Sequence, residues 1–205
     1  KTLLLDADLG MANVHLVLGV NPEKNLDDFI NKKVPINKIS YKINKNLDFI
    51  SGGSAVHSLL NLENTERYNI IKSFNDIKKT YDYMIIDIGA GADASSISFM
   101  SAANKIITVL VSEPTSFADA YSLVKASYLD EKLDNFGIVW NMSNNDFQAK
   151  NHFEKFRSIS TKFLDVKLTY LGSLHNSKLI KQSILSRKPI IDTQNKKETE
   201  CFEKI

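Results

Sequence analysis

Short apolar runs that stop at an acidic or turn residue alternate with stretches of helical period along almost the whole chain. The runs cover residues 2–6, 47–51, 83–87, 105–112, 136–141 and 167–172. Each is short enough for a buried strand and bounded by turn residues. Helical patterns fall at 12–18, 26–31, 54–60, 67–79, 95–103, 116–133, 146–163 and 177–186, with a frayed tail from 197. Strand and helix alternating almost throughout build parallel βαβ units. The segments MIID, IITVLV and GIVWN have no polar face, as strands covered on both sides require. The expected fold is α/β: a doubly wound, mostly parallel sheet with helices on both faces, forming a single domain over residues 1–205.

In such a sheet ligands bind beyond the carboxyl ends of the strands. The residues that matter are therefore Asp6 and Asp8, Ser51-Gly52-Gly53, Asp87 with Ile88-Gly89-Ala90-Gly91, Ser112-Glu113-Pro114-Thr115, Asn141 and Gly172-Ser173. Asp6 and Asp8 are two apart, so an extended backbone would turn both to one side. Asp87 ends a buried run and opens a Gly-Ala-Gly turn. A carboxylate at a strand tip beside such a turn is the arrangement that holds Mg²⁺ through water while backbone N–H groups approach a γ-phosphate. The structural alternative is an aspartate that caps the next helix.

Several function classes are excluded or unsupported. The net charge of +2 makes no case for nucleic acid as a partner. Cys201 is the only cysteine, so neither an internal disulfide nor a CxxC site exists, which fits a reducing cytoplasm. No apolar stretch approaches the ~20 residues that span a bilayer. His15, His57, His152 and His175 lack metal-ligand spacing and read as surface or satisfied histidines. Ser51-Gly52-Gly53-Ser54 could cup a phosphate, but a turn with Ser54 as N-cap explains it as well.

Four segments together, LLLDADLGMANVHLVLG, LDFISGG, YDYMIIDIGAG and SEPTSFADAYSLVKA, resemble the MinD/ParA family of deviant-Walker ATPases. Within that family they are most similar to the flagellar-number regulators (FlhG, also FleN or YlxH). The resemblance runs in order over nearly the whole chain. It implies ATP and Mg²⁺ as cofactors and slow ATP hydrolysis used as a switch. It implies that Asp8 positions the attacking water and that Asp6 supports the switch and the Mg²⁺ water shell. It implies that Asp87 is the Walker-B aspartate, with Gly89 and Gly91 in the second switch. Asn141 would read the adenine edge, and the loop at His175 and Asn176 would pack against the ring. Implied partners are a second copy in the ATP state, the flagellar GTPase FlhF and flagellar basal-body (C-ring) proteins. The implied location is the cytoplasm, peripherally associated with the inner membrane, with no nucleic acid expected. The alternatives are a catalytically inactive scaffold of the same fold, or a cell-division or DNA-partitioning ATPase.

Two departures from the family pattern stand out. The last loop reads His175-Asn176-Ser177 where Pro-x-Asp is usual. No GxxxxGK[ST] phosphate loop occurs anywhere in the 205 residues, so no N–H nest and no lysine for the β/γ oxygens is present. In this fold that loop follows a central strand, whose loss would expose unpaired backbone. The expectation is a natural protein that also carries a strand, a glycine-lysine loop and a helix ahead of Lys1. No C-terminal amphipathic membrane helix is visible in the tail.

Overall fold

The computed structural model describes residues 1–8, 12–53, 64–192 and 196–205. It divides into two compact units, Lys1–Ala102 and Ala103–Ile205. The mostly parallel α/β architecture is the one that the alternation of runs predicts. The expected helix at 54–60 lies outside the described residues.

In the first unit, β1 (Thr2–Asp6) is an inner strand. It pairs in parallel with β3 (Leu47–Ile50) on one side and β4 (Tyr83–Asp87) on the other. A two-residue strand, β2 (Tyr41–Lys42), runs antiparallel on β3, giving the order β2-β3-β1-β4. Two residues carry no readable period, so this strand was not legible in the sequence. The helices are α1 (Val14–Leu18), α2 (Leu26–Ile30), α3 (Asn64–Ser73) and α4 (Ala94–Ala102). Leu3, Leu5, Ile50, Ile70 and Phe99 form the buried core. Helix α3 stops at Ser73, short of the expected 79, and passes through a 3-10 turn at Phe74–Asp76. Asp93 starts α4: its carboxylate accepts from the Ser95 and Ser96 amides and from the Ser96 hydroxyl. Desolvation pushes that carboxyl up, but these hydrogen bonds and one from its own amide outweigh it and hold it below its ordinary range.

The second unit is a parallel sheet of order β5-β6-β7, with strands Ile106–Leu110, Asn135–Ser143 and Lys167–His175. Its helices are α5 (Pro114–Glu131), α6 (Asp146–Phe163), α7 (Lys178–Ser186) and α8 (Lys196–Glu203). Leu110, Val124, Phe136, Ile138, Trp140, Phe153 and Phe156 pack as its core. Both β6 and β7 run past the expected ends at 141 and 172. Leu171 is an extra residue on β7 between paired positions, and Asn141-Met142 add one on β6. Each bulge offsets the other, so pairing resumes at Ser143 with His175. Gly172 and Ser173 therefore lie inside a strand rather than beyond it.

Helices do not cover every strand face among the described residues. On β4, Met84 and Ile86 pack on the core, whereas Ile85 stays 55% exposed. On β5, Leu110 is buried and Val109 is 57% exposed. Both strands are also sheet edges. This departs from the doubly covered strands that their composition predicts.

Candidate functional site

The parallel register brings the carboxyl ends of β1 and β4 level. Asp6 lies opposite Asp87, and the Ala7 amide donates to the Asp87 carbonyl at 2.7 Å, one residue beyond the strand. Asp6, Asp8 and Asp87 are thus brought to one strand end. Asp6 is fully buried at the tip of an apolar strand. One of its carboxylate oxygens accepts from the Val14 amide at 3.1 Å, and the other, Oδ1, is buried without a hydrogen-bond partner among the described residues. Desolvation holds the Asp6 carboxyl above its ordinary range. The Val14 and Asp8 amides pull it partly back, and the charges of Asp87 and Asp8 push it up. Asp87 is raised too, by desolvation and then by Asp8, although its outer face remains exposed.

Gly89 touches this group. A Cβ there would stand 2.9 Å from Oδ1 of Asp8, closer than a carbon can approach. Glycine is what lets the turn after β4 lie against the Asp8 carboxylate. Gly91 adopts φ +129, which an L side chain rarely takes, with open space around it. Leu9, Gly10 and Met11 lie outside the described residues.

Among the described residues, no group of three His, Cys, Asp or Glu side chains converges closely enough to hold a metal ion by itself. None of the recorded ion pairs includes Asp6 or Asp87. Carboxylates raised by burial and mutual repulsion, with one buried oxygen unbonded, suit a cation bound through water and ligand oxygens rather than directly.

The other sequence candidates belong to the second unit. Asn141 sits on the β6 bulge, and its side-chain oxygen accepts from the Met142 amide at 2.8 Å. Trp140, the preceding residue, is buried in the helix-covered core, as alternation along a strand requires. Its indole N–H finds an acceptor in the Ser112 hydroxyl at 2.9 Å. That oxygen is also 3.0 Å from Nδ1 of His152, a pairing the sequence did not signal because the residues are 40 apart. His175 and Asn176 line a cavity of about 920 Å³ together with Ser143, Asp146 and Ser177; Asn141 does not line it. In the departed loop, Ser177 takes the N-cap role and accepts from the Leu179 amide at 3.1 Å.

Asp146 was missed as a polar centre. It starts α6 and accepts from the Tyr170 and Ser173 hydroxyls, each at 2.9 Å. The Ser173 and Tyr170 hydrogen bonds hold its carboxyl below the ordinary range. Burial, reinforced by the Asp146 charge, pushes the Tyr170 phenol up to about 12. Spacing within one helix or strand would not reveal a cluster built from two elements.

Residues 1–132 match the model of the AAA_31 family, described as an AAA domain. The chain belongs to this family, which is of the ParA/MinD type. It is 29% identical to the antiactivator FleN of Pseudomonas aeruginosa, over 94% of this chain and 69% of FleN. It is 26% identical to the flagellum site-determining protein YlxH of Helicobacter pylori, over 92% of this chain and 64% of that protein. The chain thus spans about two thirds of the length of these relatives. The septum site-determining protein MinD of Pyrococcus horikoshii, solved with Mg-ADP, superimposes with a TM-score of 0.74 at 21% identity, covering 100% of this chain and 81% of MinD. At that identity the likeness establishes the fold.

Proposed function

We propose that this chain is the body of an ATP-dependent switch that regulates the number and placement of flagella. The observation that carries the reading is the meeting of Asp6, Asp8 and Asp87 at one strand end, with Gly89 seated on Asp8. Its similarity to FleN and YlxH over more than nine tenths of the chain supports the flagellar assignment. Asp8 orients the attacking water. Asp6 backs it from the buried side, and Asp87 and Asp6 hold the water shell of Mg²⁺. Gly89 and Gly91 give the second switch the freedom to close on a γ-phosphate and relax after hydrolysis. Asn141, His175 and Asn176 contact the adenine. ATP favours a homodimer that contacts the membrane and engages FlhF and the C-ring proteins.

The phosphate loop is part of this proposal. The unpaired edge of β4, with Ile85 exposed, suits a further strand of the natural protein. That strand, its glycine-lysine loop and the following helix would complete a single ATPase domain. The second reading is a scaffold of the same fold without catalysis.

The test is turnover in the natural full-length protein. A group that orients water acts in the transition state, so Asp8→Ala should stop hydrolysis with ATP and Mg²⁺ binding nearly intact. Asp87→Ala should weaken Mg²⁺-dependent binding itself. Hydrolysis by Asp8→Ala at the native rate would overturn the assignment, and ATP binding without turnover in the native protein would favour the scaffold.

A further inference from the structure

The turn after β3 approaches the acidic strand end more closely than any side chain would allow. Gly52 lies two residues past Ile50, the β3 position that pairs with Leu5 of β1. A Cβ at Gly52 would stand 2.6 Å from the Asp6 carbonyl oxygen and 3.4 Å from the Ala12 Cβ. Side-chain carbons do not come that near to an oxygen, so one of the two would have to shift. Gly89 and Gly53 differ in kind. A Cβ on either would meet a side chain, that of Asp8 or of Asn25, which can swing aside. Gly52 meets backbone.

The peptide unit it meets is a bridge. The Asp6 carbonyl and the Ala7 amide belong to one plane. On one side the carbonyl oxygen faces Gly52, and on the other the Ala7 amide donates to the Asp87 carbonyl at 2.7 Å. Pushing the oxygen therefore tilts the N–H away from β4. The turn itself is held from behind. The Leu26 amide donates to the Ser51 carbonyl at 2.9 Å, and the Gly53 amide donates to the Ser51 hydroxyl at 3.3 Å. Behind Gly53, at φ +88, the Asn25 side chain stands 2.9 Å from where a Cβ would be. The capping box of α2 fixes Asn25 in turn.

We infer that Gly52 is a positioning residue for Asp8, acting through the Asp6–Ala7 peptide. The inference rests on the role proposed above for Asp8 and extends that site to the turn after β3. Asp8 lies two residues beyond Asp6 and carries its carboxylate against Gly89. The segment from Asp6 to Asp8 is thus gripped between two turns, one from β3 and one from β4. With no side chain at Gly52, the turn is a stop set at backbone distance. A methyl group there would move the whole segment, because the turn has nowhere to retreat.

Gly52→Ala and Asn25→Gly in the natural full-length protein test this from opposite sides of the turn. The first pushes the Asp6–Ala7 peptide. The second opens the space behind the turn, and glycine at that position costs the cap of α2 little. Turnover should fall ~10-fold or more in Gly52→Ala with the ATP Kd little changed, and by less in Asn25→Gly. In both variants the Ala7 and Val14 amides should exchange hydrogen faster than the other amides of β1. Gly52→Ala combined with Gly89→Ala should lose less than the product of the two single losses, because both displace one carboxylate. Losses that multiply, or ATP binding that falls in step with turnover, would make Gly52 a packing glycine and overturn the inference. Unchanged turnover and unchanged exchange would overturn it as well. Should Gly52→Ala fail to fold, exchange at Ala7 and Val14 in Asn25→Gly decides alone. Faster exchange at both amides, in a native protein that binds ATP without turning it over, would uphold the contact and overturn the catalytic reading of Asp8 instead.

Discussion

A methyl group at Gly89 would put a carbon 2.9 Å from Oδ1 of Asp8, so one of the two has to move. Gly89→Ala is expected to displace the Asp8 carboxylate without touching the fold. Small misplacements of a positioning group cost rate rather than binding, so turnover in the full-length protein should drop ~10-fold or more, with the ATP Kd little changed. Steady-state kinetics beside equilibrium binding would check it. The buried neighbour Asp6 gives a pH signature. Its folded pKa lies above the unfolded value of 3.8, so the folded state holds the proton more tightly than the unfolded state does. Stability contributed at low pH is then lost as pH rises from 3.8 through the folded pKa. Asp6→Asn keeps an acceptor for the Val14 amide and removes the charge. Its Tm relative to the native chain, measured by thermal melts, should therefore rise between pH 4 and pH 7.

Whole elements depend on their ends. Helix α2 has five residues, too short to persist alone. The Asn25 side chain accepts from the Asp27 amide at 2.9 Å and the Asp28 amide at 3.3 Å. The Asp28 carboxylate accepts in return from the Asn25 amide at 3.0 Å and binds Lys32 at 2.8 Å. Asn25→Ala should cost about 1 kcal/mol, and Asn25→Asp much less, because aspartate caps equally well. Urea unfolding with an unchanged m-value would establish that only stability has moved.

Across the whole molecule, the uncovered strand faces are the features that ordinary packing leaves unexplained. Ile85 on β4 and Val109 on β5 are exposed, and each strand is a sheet edge. Apolar edges of this kind recruit other chains. The 205-residue chain is expected to self-associate with rising concentration. Ile85→Lys with Val109→Lys should shift it toward monomer, because lysine protects edges and both side chains point away from the cores. Light scattering over a concentration series reads the difference, and an unchanged association would show that other surfaces drive it.

Short apolar runs with helical stretches between them determined the α/β class and most element positions; β1, β4 and α6 lie where the residues alone put them. The position of Asp6 and Asp87 at strand ends was also legible, because strand-end acids before glycine turns are local patterns. What lay beyond the sequence depends on partners distant along the chain. The lengths of β6 and β7 follow from two compensating bulges, and a bulge exists only relative to the strand beside it. The Trp140-Ser112-His152 contacts join a strand, a loop and a helix, and the Asp146-Tyr170-Ser173 cluster joins α6 to β7. The exposure of β4, β5 and α7 was equally hidden, since apolar composition records what a strand or helix can bury, and only the tertiary structure decides what covers it.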